Sequence, residues 1–193
     1  MVARPLFRSI RNRKHGETRN QHGRDECDTN EYIRRDRTNL CDFAVVPENK
    51  GWSISAPVEK LTLGSWKKQK QPFYSWDVSY TKEYDVKDTS KSYTIQLNAW
   101  NGTVTEVYVN GEKAGIIGFD PYRLNIASYL KQGKNQVEVR VIGSHKNLLG
   151  PHYNNPNPGL ASPWHWKNIR KQIPGSDYQM LDYGLMEDFD LVY

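Results

Sequence analysis

The chain has 193 residues, with 27 Lys and Arg against 22 Asp and Glu, a formal net charge of +5 and 12% aromatic residues. This length suggests one domain, or one domain with an extension. The sequence has no apolar run of the roughly 18 residues that a membrane-spanning helix needs. Its charged N-terminus also lacks the apolar segment of a secretory signal peptide.

Positive charge is concentrated at the N-terminus. Residues 1–40 carry ten Lys and Arg against six Asp and Glu, whereas residues 41–193 carry seventeen against sixteen. Because a nucleic-acid-binding domain needs a basic face of its own, we expect no nucleic-acid binding by the main domain. Apolar residues in the first segment follow neither a helical nor a strand period. We therefore predict an Arg-rich extension over residues 1–50, non-native or disordered, and a folded domain over 51–193. The alternative is a basic arm that binds nucleic acid or an acidic polymer.

The two cysteines, Cys27 and Cys41, lie in or beside this segment. One pair gives neither a metal-binding signature nor a disulfide framework. The two thiols are either free or bridged in an oxidising compartment.

From Trp52 onward, apolar and polar residues alternate with the period of two that is typical of strands. The segment from Trp76 to Val86 predicts one half-buried strand, or two that meet at Lys82. Asn110-Gly111 predicts a tight hairpin, because both residues tolerate the positive φ that a two-residue turn requires. A short helical turn is predicted at Asn125–Leu130.

Several further strands complete the pattern. They are predicted at Tyr93–Ala99, on both sides of Asn110-Gly111, at Gln136–Val141 after a turn at Gly133–Asn135, and at the closing segments Tyr178–Tyr183 and Phe189–Tyr193. Short strands at this spacing, joined by Gly, Asn and Pro turns, predict an all-β antiparallel β-sandwich of jelly-roll type.

A proline-rich aromatic segment from Gly150 to Trp166 is the best candidate for a binding site. Sugars present flat C–H faces and many hydroxyl groups, so a sugar site needs aromatic rings beside amide and imidazole hydrogen-bonding groups. Prolines would stiffen the loop and lower the entropic cost of binding. The predicted contacts are His152, Tyr153, Asn154, Asn155, Trp164, His165 and Trp166. The alternative is that these aromatic residues pack onto the sandwich or cover another domain.

Two aromatic residues on polar strand positions, Trp100 and Tyr108, could form a second platform, unless a loop covers them. Glu106 and Glu112, or Glu187, Asp188 and Asp190, could in principle provide paired carboxylates for glycoside hydrolysis. Acids in hairpins and near chain ends are usually solvated, so we predict no catalytic residue. No nucleophile elbow, phosphate-binding loop or zinc-ligand spacing occurs in the sequence.

Several motifs occur in an order that resembles the galactose-binding-like β-sandwich attached to large bacterial glycoside hydrolases. The closest likeness is to the C-terminal sandwich of enzymes related to family 2 and to the α-L-rhamnosidases. The motifs are Pro72–Trp76, Val107–Gly111 with Gly115, Pro121-Tyr122 with Leu124–Ile126, Leu130–Asn135, Asn147–His152, Pro163-Trp164 and Tyr183–Leu185.

The resemblance covers roughly residues 60–193 and implies a carbohydrate-binding or accessory module for polysaccharide degradation, secreted or periplasmic in its parent enzyme. The catalytic barrel of such enzymes is absent from this sequence, so the catalytic domain is an expected partner. The alternatives are a purely structural module and a small glycoside hydrolase in its own right. The resemblance also implies a structural Ca²⁺, for which Asp77, Asp85, Asp88, Asp120 and Asp190 are donors by type.

Overall fold

The computed structural model describes residues 42–152, 162–163 and 173–193. The predictions for Cys27, Cys41 and most of the Arg-rich segment therefore lie outside the described residues. No helix in these ranges is long and apolar enough to cross a membrane.

Regular structure in the described residues is almost entirely β. The strands are β1 (Ala44–Glu48), β2 (Gly51–Ser55), β3 (Asp77–Val86), β4 (Thr94–Leu97), β5 (Trp100–Asn101), β6 (Val104–Val109), β7 (Glu112–Ile117), β8 (Arg123–Asn125), β9 (Gly133–Ile142), β10 (Gly184–Leu185) and β11 (Phe189–Val192). A single helical turn, α1, spans Lys146–Leu149, and short 3₁₀ turns span Trp66–Gln69, Ala127–Tyr129 and Gly175–Asp177. The turn predicted at Asn125–Leu130 is thus shorter than expected, because Asn125 belongs to β8.

Two antiparallel sheets enclose the core. A four-stranded sheet has the order β3-β9-β6-β7, and a three-stranded sheet has the order β11-β4-β8. One face of each sheet contributes to a shared apolar cluster, which includes Val107, Val137 and Val139 from the first and Ile95, Leu97 and Phe189 from the second. The predicted all-β antiparallel sandwich is confirmed, and the jelly-roll subtype stays a prediction.

The hairpin at Asn110-Gly111 forms as predicted. Asn110 has φ 53° and Gly111 has φ 87°, so both central residues occupy the left-handed region. The Asn110 amide also donates to Oδ1 of buried Asn135 at 2.9 Å, and Asn135 in turn donates to the carbonyl of Lys131 at 2.7 Å. The turn predicted at Gly133–Asn135 is wrong, because β9 already begins at Gly133. The side chain of Asn135 instead holds the bend that precedes it.

Lys82 lies on the inward parity of β3, yet it does not interrupt the strand. Its Nζ donates to the carboxylate of Asp188 at 2.9 Å and to the carbonyl of Phe189 at 3.1 Å. Since β3 and β11 are edge strands of the two sheets, this side chain bridges the open side of the sandwich. A charged residue at an edge also disfavours pairing with another chain.

The segment Tyr178–Tyr183 is not the strand that its alternation predicts. Side chains, rather than a neighbouring strand, bind its backbone. Asn147 bonds both the N–H and the carbonyl of Leu181 at 2.8 Å, and Lys67 donates to the carbonyl of Met180 at 3.0 Å. Isolated side-chain bonds of this kind leave no periodic pattern in the sequence, so alternation alone was misleading.

Strands β1 and β2 form a hairpin that crosses the boundary predicted at residue 50. It contacts the rest of the domain through backbone hydrogen bonds, from Val45 N to Lys70 O and from Gly51 N to Ile173 O, each 2.9 Å long. Gly175 lies so close that an added Cβ would stand 2.3 Å from the carbonyl of Gly51. The hairpin is therefore bound to the domain by its own backbone.

Trp66 fixes the end of the core beneath the last strands. It is 1% exposed, and its Nε1 donates to the hydroxyl of Tyr80 on β3 at 2.9 Å. The same hydroxyl accepts from the N–H of Leu185 on β10 at 3.3 Å. One phenol thus connects the 3₁₀ turn, β3 and β10.

Tyr80→Phe should lower the free energy of unfolding by about 1–3 kcal/mol, because the buried indole N–H of Trp66 loses its acceptor. Urea unfolding followed by circular dichroism measures this change. Tyr84→Phe is the matched control on the same strand face. Its hydroxyl donates to the Phe189 carbonyl at 3.3 Å, which Lys82 also binds at 3.1 Å, so its loss should be smaller. Equal losses in the two variants would contradict the role of Tyr80.

Candidate functional site

The predicted sugar-binding loop lies only partly in the described residues. Gly150–His152, Ser162 and Pro163 are described. The other predicted contacts lie outside the described residues. They are Tyr153, Asn154, Asn155, Trp164, His165 and Trp166. The site can therefore be built from the point where this loop leaves the sandwich.

His152 packs at this point instead of projecting into solvent. Its ring stands 5.8 Å from Phe73 at a near-perpendicular angle and 5.1 Å from Tyr178 at 34°. Its Nε2 lies 2.7 Å from the carbonyl oxygen of Asn147, a geometry that suits the neutral tautomer with a proton on Nε2. His152 therefore anchors the first residues of the loop.

Trp52 completes this group, which we call the root cluster (Trp52, Phe73, His152 and Tyr178). The indole of Trp52 meets Phe73 at 5.0 Å and Tyr178 at 5.5 Å, both edge to face. Such pairs add to the stabilisation from area burial. The cluster joins β2, the segment before β3, the loop and the segment after the last 3₁₀ turn. It thereby fixes the position of His152.

Asn147 supplies polar contacts beside the root cluster. Its side chain is 2% exposed, and it bonds the backbone of Leu181 through both the amide oxygen and the amide nitrogen. Its own carbonyl contacts His152, and the neighbouring Lys146 donates to the carbonyl of Pro151 at 2.7 Å. The turn α1 thus holds the loop and the segment around Leu181 together.

Burial lowers the pKa of His152 below its ordinary value, and the positive charge of Lys146 acts in the same direction. The bond to the Asn147 carbonyl opposes this shift without reversing it. The root cluster therefore favours the neutral imidazole.

Trp100 contributes to the core. Its ring packs against the apolar cluster and meets Tyr122 edge to face at 5.6 Å. Its Nε1 is buried without a hydrogen-bond partner in the described residues. The ring thus takes part in packing the core, and its role as a platform stays a prediction.

Tyr108 lies on the outer face of the four-stranded sheet, as its parity indicates. Arg140 covers its ring, with Cζ 4.5 Å from the ring centroid, and the hydroxyl donates to Glu106 at 2.8 Å. Arg140 also pairs with Glu138 at 2.8 Å. Tyr108 is therefore part of a charged network on this face.

The carboxylates considered for hydrolysis do not form an acid–nucleophile pair in the described residues. Glu106 is paired with Lys113 and lies 4.0 Å from Arg140. Burial alone would raise the pKa of Glu106, but its bonds to Lys113 and Tyr108 outweigh burial and lower it. Asp188 pairs with Lys82, and Asp190 accepts from Asn98 at 2.8 Å. A general acid would need a raised pKa, the opposite of the shift at Glu106.

The donors considered for Ca²⁺ do not come together either. Asp77 faces Arg140 at 3.6 Å, Asp88 accepts from Ser90 at 2.7 Å, and Asp190 bonds Asn98. No group of three or more His, Cys, Asp or Glu side chains suited to a metal occurs in the described ranges. Calcium needs six to eight oxygen ligands, so these residues do not fit the ion.

Sequence reasoning missed the root cluster partners of His152, because Trp52, Phe73 and Tyr178 come from distant segments. In the predicted strand from Trp76 to Val86, Trp76 shares the parity of the apolar residues Val78 and Val86, yet the structure leaves the residue 63% exposed. The available clue was position. Trp76 precedes β3, and a residue just before a strand can have inward parity and still lie beyond the edge of the core.

No protein-family model matches the chain. Among curated proteins, "Putative beta-glucuronidase" of Formosa agariphila is 36% identical over 75 residues, which make up 37% of this chain and 9% of that protein. Among solved structures, the rhamnosidase of Novosphingobium sp. PP1Y is similar with a TM-score of 0.50 and 24% identity, over 77% of this chain and 14% of that one. The similarity to the beta-D-mannosidase of Dictyoglomus thermophilum covers 78% of this chain and 21% of that protein, at 20% identity and with a TM-score of 0.41.

The chain therefore spans a small part of the length of each of these proteins. The similarity to the rhamnosidase supports the sandwich fold. The name of the curated relative agrees with the predicted relation to glycoside hydrolases. The galactose-binding-like subtype stays a prediction.

Asn147→Ala should lower the free energy of unfolding by about 2 kcal/mol or more, because it leaves the N–H and the carbonyl of Leu181 without their buried partner. Urea unfolding measures the loss. Asn98→Ala is the control, since Asn98 is exposed and its bonds can be replaced by water. A loss of unfolding free energy no larger than that of Asn98→Ala would contradict this role of Asn147.

His152 should make the domain less stable in acid. Because its folded pKa lies below that of the unfolded chain, the unfolded chain binds more protons as the pH falls. Its contribution is complete above about pH 6.5 and is lost as the pH falls toward the folded pKa. Between about pH 7 and pH 5, the unfolding free energy should therefore fall more steeply in the wild type than in His152→Gln. Urea unfolding at several pH values measures both slopes, and equal slopes would rule out this effect.

Proposed function

We propose that this chain is an accessory β-sandwich module of a bacterial glycoside hydrolase, and that it binds carbohydrate through the loop at residues 150–166. The observation that carries the proposal is the root cluster, which fixes the start of a loop rich in Trp, Asn, His and Pro. A fixed starting point reduces the conformational freedom of the segment and so lowers the entropy that it loses on binding a ligand. In the parent enzyme, which we propose to be secreted or periplasmic, the partners would be an oligo- or polysaccharide and the catalytic domain.

The proposed role is non-catalytic. Glycoside hydrolysis commonly uses two carboxyl groups on either side of the scissile bond, one of them a protonated acid. In the described residues, Glu106 and Asp188 are instead held as ion pairs by lysines. Binding by stacking and hydroxyl recognition needs no such acid.

In the proposed binding mode, the apolar face of a sugar ring stacks on Trp164, Trp166 or Tyr153. The amides of Asn154 and Asn155 and the imidazole of His165 would then bind its hydroxyl groups. His152 has a different role, because its ring is packed between aromatic neighbours. It positions the loop and does not contact the ligand.

A second candidate is a purely structural module that supports the catalytic domain. The packing of His152 favours it, since one predicted contact residue already serves the fold. In that case the remaining loop aromatics would cover another protein surface. The two candidates differ in whether the isolated chain binds any glycan.

Trp164→Ala combined with Trp166→Ala should weaken glycan binding at least about tenfold, because both proposed stacking surfaces are removed. Affinity electrophoresis against plant and microbial polysaccharides identifies a ligand, and isothermal titration measures its affinity. Phe119→Ala is the control, since Phe119 is an 88% exposed aromatic residue outside the loop.

Binding to no glycan would favour the structural candidate. Equal affinity in the wild type and the double variant would reject the loop as the binding site.

A further inference from the structure

The indole of Trp76 is a solvent-exposed aromatic surface outside the proposed loop. It is 63% exposed, whereas Trp66 is buried and Trp100 packs against the core. Exposing so much apolar area costs free energy that burial would recover. Because single exposed apolar residues are common on protein surfaces, Trp76 becomes a candidate contact surface only through what lies beside its ring.

The backbone around Trp76 is rigidly held. Its carbonyl accepts from the N–H of Gly143 at 2.9 Å, which extends the pairing of β3 with β9 by one step. The hydroxyl of buried Tyr74 donates to the carbonyl of Asp77 at 2.9 Å. Trp76 lies between these two bonds, so little backbone ordering is needed when a ligand stacks on its ring.

His145 lies beside this ring. The two ring centroids are 6.4 Å apart, with the planes at 69°. Near-perpendicular rings meet edge to face, so His145 leaves at least one indole face uncovered. In the described residues, neither the ring nitrogens of His145 nor the indole N–H of Trp76 has a hydrogen-bond partner. A free donor and acceptor therefore flank an open aromatic face.

We infer that Trp76 and His145 form a second carbohydrate subsite, which binds a neutral sugar ring by stacking on the indole and by hydrogen bonds to the imidazole. This inference rests on the proposed carbohydrate-binding function and assigns part of it to residues outside the loop. A stacked sugar matches both features, since its C–H face is apolar and its edge carries hydroxyl groups. Phe119 is more exposed but has no hydrogen-bonding group on its ring, so it lacks the second feature.

The test uses the full chain with oligosaccharides of β-1,4-linked glucose, mannose and galactose as probes. Isothermal titration measures affinity, and the ¹⁵N–¹H resonance of the Trp76 indole reports contact. Trp76→Ala should weaken binding by about tenfold or more, and Trp76→Tyr, which keeps an aromatic ring, should lose less. His145→Ala should weaken binding without abolishing it. The exposed control Phe119→Ala should change affinity by less than about twofold.

The outcomes separate this subsite from the loop. Loss of binding in Trp76→Ala, with the Trp164 and Trp166 double variant unchanged, supports the subsite and rejects the loop. The reverse result supports the loop and overturns the subsite. Self-association that Trp76→Ala abolishes, with no indole shift on adding sugar, would identify a protein contact and overturn the inference. Absence of binding to every probe would overturn it as well.

Discussion

The buried indole of Trp66 is the contact on which the closure of the sandwich depends. Its backbone N–H bonds the carbonyl of Tyr183, its side-chain N–H bonds Tyr80, and its ring meets Tyr74 edge to face at 5.6 Å. Gly184 passes directly over it with φ 132°, and a Cβ there would lie 2.9 Å from the indole nitrogen. Only glycine fits this position without displacement. The last strands can therefore approach the core only because Gly184, which has no side chain, lies against the large ring of Trp66.

Side-chain hydrogen bonds, rather than strand pairing, hold the segments around this contact. Asn147 replaces a neighbouring strand for Leu181, and Ser65 and Lys67 both bind Asp182. A buried amide that satisfies two backbone groups costs little, whereas losing it leaves two unsatisfied groups in the interior. The Asn147 carbonyl also contacts His152 and so helps to set the position of the root cluster. The stability of the core and the geometry of the candidate site therefore depend on the same few polar residues.

The parts of this fold that could be predicted from sequence are those with local causes. The Asn110-Gly111 turn follows from backbone preference, and β3 and β9 follow from alternation along one strand. The interpretation of Tyr178–Tyr183 as a strand failed because isolated bonds from the side chains of Asn147 and Lys67 take the place of a paired strand. Parity likewise shows on which side of a sheet a residue lies, but not where the core ends. For this reason Trp76 is exposed on the inward parity, whereas Trp100 packs against the core from the polar one.

The outer face of the four-stranded sheet carries a network of paired charges. Glu106, Glu138 and Asp77 surround Arg140, and Lys113 closes the group on the side of β7. Each carboxylate has a cation within reach, and the bonds of Glu106 to Lys113 and Tyr108 lower the pKa of that carboxyl despite its burial. A glycosidase acid requires the opposite environment, apolar and without cations, in which the pKa rises toward neutrality. A face on which carboxylates and cations are paired in this way is stable in contact with water. Trp76 lies outside this network of paired charges, so its exposed ring is an aromatic surface of the described residues that a sugar could reach.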